Sequence, residues 1–112
     1  MIELIVLEHL MTKLNMTDVY MEVPDNPPKK FVVIDKTGGG RKNLICSATL
    51  AIQSYDETLA KAAVLNKDVK AAMYDLAENI NVGKVALETD YNFTDTSTKR
   101  YRYQAVFDIT HY

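Results

Sequence analysis

FVVIDKTGGGRKNLICSATLAIQSY, residues 31–55, is the stretch whose reading decides the fold. Its second half alternates. Leu44, Cys46, Ala48, Leu50 and Ile52 fall on one side of an extended chain, and Ser47, Thr49, Gln53 and Tyr55 on the other. That period of two is what a strand with one face on a core requires. The first half, FVVID, is rich in β-formers. Between them Lys36, Thr37, Gly38, Gly39, Gly40, Arg41, Lys42 and Asn43 read as a mobile hairpin connection, the glycines supplying the positive φ that tight turns between strands demand. Residues 31–55 are therefore expected to be two antiparallel strands with a flexible basic loop between them.

On the N-terminal side, residues 2–14 place Ile2, Ile5, Val6, Leu10 and Leu14 on one helical face, widened by Leu4, Leu7 and Met11. A short strand is expected over 19–23, halted by Pro24, Pro27 and Pro28, which lack the backbone donor a ladder needs. On the C-terminal side, Asp56 or a close neighbour caps a helix over 57–80 whose stripe is Leu59, Ala62, Ala63, Val69, Ala72, Met73, Leu76 and Ile80. VALETDYNF and KRYRYQAVFDITHY follow as a hairpin turned by TDTST, with Tyr101, Tyr103, Ala105, Phe107 and Ile109 sharing a face of the last strand. The order is α-β-β-β-α-β-β. It predicts an α+β fold, a largely antiparallel β-sheet of four to five strands with both helices, about 2–14 and 57–80, packed on one face.

A chain of 112 residues fits one domain, 1–112, and 47% hydrophobic with 25% charged residues is the balance of a globular protein rather than a disordered or collagen-like one. No apolar run reaches the roughly 20 residues that span a bilayer, and no signal-peptide pattern opens the chain, so a cytoplasmic protein without membrane contact is expected. The single Cys46 excludes an internal disulfide and multi-cysteine zinc sites. With a net charge of −2, strong sequence-independent attraction to nucleic acid is not expected of the whole chain, although a local basic patch is compatible.

Signatures of chemistry fail one after another. KTGGGRK lacks the G-x-x-x-x-G-K-[ST] spacing of a phosphate-binding loop, and it joins strand to strand where that motif needs a helix N-terminus behind it. Lys36-Thr37-Gly38 matches one element of the penicillin-recognising serine enzymes without its S-x-x-K and S-D-N companions. His9 and His111 stand alone, and Cys46 reads as small core filler. Glu88 and Asp90 share a strand face by simple alternation without forming an acid/base pair. Tyr91, Phe93, Tyr101, Tyr103 and Phe107 are expected to stack across the last hairpin, with Arg100 and Arg102 on the opposite side of the strand, and no RNA-binding strand signature is present. No catalytic residue, metal site or cofactor is expected.

Three runs carry a family likeness: IDKTGGGRKN (34–43), ATLAIQSYDETLAKAAVLNKDVKAAM (48–73) and DYNFTDTSTKRYRYQAVFDITHY (90–112). They resemble the tail terminator or tail-completion proteins, which join head to tail at the neck of long-tailed bacteriophages and prophages. The resemblance covers about Phe31 to Tyr112, while residues 1–30 match in helix, proline-rich loop and length. It implies a non-enzymatic virion component that caps the tail tube, ends its polymerisation and docks to the head connector as a ring, usually hexameric. Implied partners are other copies of the chain, the major tail tube protein and the head connector or stopper, with host cytoplasm as the place of assembly. Lys36 to Asn43 would then contact a partner, and Lys36, Arg41 and Lys42 the backbone of passing DNA. Another neck, minor capsid or head-completion role, or a small nucleic-acid-binding module, is the alternative.

Overall fold

Helix α1 (Ile2–Leu14) forms because its apolar residues recur at helical spacing, and it buries Ile2, Val6 and Leu10 on one line. Asn15 ends it in the left-handed conformation at φ 52°, where its N–H donates to the Thr12 carbonyl and that of Met16 to the Met11 carbonyl. The computed structural model describes residues 1–42, 44–98 and 100–112. Strand β1 is only Val19–Tyr20, shorter than the 19–23 expected, and runs parallel to β2 (Phe31–Lys42) through Val19 opposite Val32 and Tyr20 opposite Val33. β2 pairs antiparallel with β3 (Ile45–Asp56), which pairs with β5 (Tyr101–His111), and β5 in turn with β4 (Val82–Asn92). The sheet order is β1-β2-β3-β5-β4.

Helix α2 (Leu59–Asp75) is shorter than the expected 57–80, because the chain tightens into a 3₁₀ turn at Leu76–Glu78 before entering β4. Its cap is Thr58, a close neighbour of Asp56, as the sequence allows: the Thr58 hydroxyl accepts the Lys61 N–H at 3.1 Å. Asp56 instead accepts the Glu57 N–H. Both helices lie on one face of the sheet, as the alternation required. The main core joins Val6 and Leu10 of α1, Leu65, Val69 and Met73 of α2, and Ile34, Leu50, Ile52, Ala105, Phe107 and Ile109 of the strands. Each of the larger side chains among them, fully removed from water, contributes about 1.5–3 kcal/mol. Three residues of the expected stripe fall outside it: Leu59 is partly exposed, Ala63 is only half-buried, and Ile80, past the helix, is 90% exposed.

The opposite face carries a small second core. Phe31 stacks on Tyr55 with ring centroids 4.3 Å apart and planes within 6°, Tyr20 meets Phe31 edge-on at 6.3 Å, and Val33 completes the group. Among the described residues no helix is long and apolar enough to cross a membrane.

Candidate assembly surfaces

The glycine run is not a loop. Lys36, Thr37, Gly38, Gly39, Gly40, Arg41 and Lys42 all belong to β2; Asn43 lies outside the described residues. Pairing continues from Gly38 opposite Thr49 to Lys42 opposite Ile45, since a glycine lacks only the side chain and still offers its N–H and C=O to the ladder. No described glycine has positive φ; Leu44 does, at 67°, at the apex of the hairpin. The register slips at Thr37, a bulge between Lys36 and Gly38. Gly39 is small for a packing reason. A Cβ there would sit 3.0 Å from Lys36 Cε and 3.2 Å from the Ser47 carbonyl oxygen.

The expected line from Leu44 through Cys46 to Leu50 is also cut short. Burial begins at Ala48; Leu44 is 76% exposed, Ile45 is exposed, and Cys46 is a half-buried free thiol. Leu44 leaves the alternation because it belongs to the turn. The tip thus presents Leu44 and Ile45 beside Arg41 and Lys42. Lys84 stands in the same transverse row as Gly40, Ser47 and Thr110, so it joins the basic residues at this end of the sheet. Segments 36–47, 79–85 and 109–112, which meet there, contain no Asp or Glu; all 15 acidic side chains lie elsewhere.

Both edges of the sheet are interrupted. β1 covers β2 only at Val32 and Val33, so from Ile34 onward β2 has no outer partner among the described residues, and it carries the Thr37 bulge with Lys36, Arg41 and Lys42. β4 has register shifts between Val82 and Lys84 and between Leu87 and Thr89. Bulges and lysines are how edge strands resist pairing with another chain.

The second shift in β4 overturns two expectations. It puts Glu88 and Asp90 on opposite faces. Asp90 points to α2, where it accepts from Lys70 Nζ at 2.6 Å and from Asn66 Nδ2 at 3.0 Å. Hydrogen bonding to Lys70, opposed by desolvation and aided by Asn66, holds the Asp90 carboxyl below its ordinary range. Glu88 stands on the open face beside Asp108. Their mutual hydrogen bond is the main cause that raises Glu88 and lowers Asp108, which also accepts the Thr49 hydroxyl at 2.8 Å.

The aromatic residues divide in the same way. Phe107 lies in the main core, and alternation along β5 turns Tyr101 and Tyr103 to its side, while Tyr91, opposite Gln104, lies on the open face. There Tyr91 and Phe93 meet edge-on at 5.7 Å. Arg102 shares that face. Its guanidinium lies 4.3 Å from the Phe93 ring centroid and 5.6 Å from that of Tyr55; Nε donates to the Phe93 carbonyl at 2.6 Å and Nη1 to the Tyr55 hydroxyl at 2.8 Å. Gln53 donates to Gln104 at 3.0 Å, and Gln104 to Tyr91 at 2.5 Å. Arg102 therefore clamps the last hairpin to the second core, a role that residue spacing alone did not disclose.

The remaining candidates are structural in placement. His9 Nε2 lies 2.7 Å from the Ala72 carbonyl, which ties α1 to α2. Among the described residues no group of three or more His, Cys, Asp or Glu is arranged to hold a metal ion.

No protein-family model matches the chain, and no curated protein matches it. A chain in a solved structure described as the virion of a native gene transfer agent particle superposes with a TM-score of 0.69 at 17% identity, over 95% of this chain and 90% of that one. The two share a fold over nearly their full lengths.

Proposed function

We propose that this chain is a non-enzymatic structural protein of a phage-like virion that acts at the neck. There a ring of copies, six in the form suggested by the sequence resemblance, caps the tail tube, ends its polymerisation and receives the head connector. The observation that carries the proposal is the fold shared, over nearly the whole length of both chains, with a chain of a gene transfer agent virion. The composition of the basic end supports it as well. Four cations without a carboxylate form a basic end suited to contact with a neighbouring copy in the ring, the major tail tube protein, the connector or the backbone of passing DNA.

Negative-stain electron microscopy of the purified protein, alone and mixed with tail tubes assembled without it, tests the proposal. Rings seated on one end of each tube are expected. Tubes that stay uncapped and keep lengthening in its presence overturn the terminator role.

A further inference from the structure

We infer that the β2–β3 hairpin tip of one copy docks into the cleft beside the start of α2 on a second copy. The inference rests on the self-association proposed above and adds the surfaces that make it.

The tip pairs an apolar end with positive charge: Leu44 and Ile45 are 76% and 44% exposed, and Arg41 and Lys42 precede them on the strand. Leu44 is held in the left-handed region at φ 67°, a conformation that disfavours an L side chain other than Asn or Asp. A leucine there is neither good turn chemistry nor core. Strain and exposure on the same residue are the mark of a contact made elsewhere.

The cleft has the opposite character. Its volume is about 490 Å³; Ala60, Val64 and Leu65 line it, and Val64 is 59% exposed. Asp56, Glu57 and Asp68 line it too, against Lys30 and Lys61, so it is net acidic. Charge and apolar character are thus complementary between tip and cleft.

Geometry excludes contact within one chain. β3 runs from the tip at Ile45 to the cleft at Asp56, and its 12 residues separate the two by about 36 Å at strand rise. Only a second copy brings them together. Because the two surfaces differ, the contact is heterologous, the kind that closes a ring at a fixed rotation. The edges offer a poorer route: bulges at Thr37, near Gly83 and at Glu88 break the regular ladder that edge-to-edge pairing needs.

The test is carbodiimide cross-linking of an equal mixture of ¹⁵N-labelled and unlabelled full-length protein, free and on capped tubes, read by mass spectrometry. Isotopically mixed Lys42–Glu57 or Lys42–Asp56 links are expected. Arg41→Glu with Lys42→Glu should lower self-association about tenfold or more, and adding Asp56→Lys with Glu57→Lys should restore it. Self-association unchanged by the first pair, or links from Lys42 in capping rings that lead only outside the cleft, overturns the inference and leaves the neck role standing. Protection of Lys42 by a DNA duplex, with no protein–protein link, overturns it in favour of nucleic acid. Tip-to-cleft links in a protein that never caps tubes sustain the contact and remove the neck role.

Discussion

Replacing Leu44 by glycine should leave the fold intact while it removes the apolar tip. Three contributions set the magnitude. Releasing an L side chain from the left-handed region returns about 1–2 kcal/mol. The greater freedom of glycine in the unfolded chain takes back about 0.5–1 kcal/mol. The quarter of the leucine that is covered represents about 0.5 kcal/mol of lost burial, since Leu44 is 76% exposed. The terms nearly cancel. Leu44→Ala makes the contrast sharp, because it loses the same burial and keeps the strain. Leu44→Gly should therefore exceed Leu44→Ala in stability by about 0.5–1 kcal/mol, or about 2–5 °C in Tm for a chain of this size. Inside a strand the order would be reversed. Urea denaturation and thermal melts followed by circular dichroism measure the difference. A glycine variant less stable than the alanine variant would refute the strained geometry at the apex, and with it the idea that stability was surrendered there for contact.

Asp90→Asn should destabilise by about 1 kcal/mol at pH 7, since both partners of the Lys70 pair are less than a third exposed. Because the folded state holds the Asp90 carboxyl below its ordinary range, its contribution is complete above the unfolded value near 3.9 and fades as pH falls through the lower folded value, so the gap between variant and parent in urea melts should close in acid. Arg102→Ala, which removes two ring contacts and two hydrogen bonds at once, should cost about 2 kcal/mol, and Arg102→Lys should recover less than half of it, because an ammonium cannot reproduce the planar fork. Equal stability of the lysine variant and the parent in the same melts would show that charge alone matters at that site.

The architecture was legible where periodicity and burial agree. Val6 and Leu10 of α1, Val69 and Met73 of α2, and Leu50, Ile52, Phe107 and Ile109 of the strands all lie in the core that their spacing indicated. Where alternation misleads along β4, the cause is a place at which the chain changes its step. The bulge between Leu87 and Thr89 reverses the parity of β4, which parts Glu88 from Asp90 and carries Tyr91 away from Phe107. The glycine triplet is a different case, since three residues that permit a turn do not require one. Long-range partners had no local signal at all. Tyr55 and Arg102 are 47 residues apart, and Lys70 and Asp90 are 20 apart, so their hydrogen bonds exist only once the sheet is closed.

β2 begins in the core and ends in water: Phe31 to Ile34 are buried, while Asp35 to Lys42 are largely exposed. Natural variation in its two halves is consequently judged by different criteria. Changes in the first half are filtered by folding, whatever the exposed half contacts. Changes in the second half leave the core untouched and are filtered only by what they must fit. A lineage can therefore alter its fit to whatever surface it contacts one charge at a time, with compensating charges arising on the facing surface, while the scaffold that presents them stays constant.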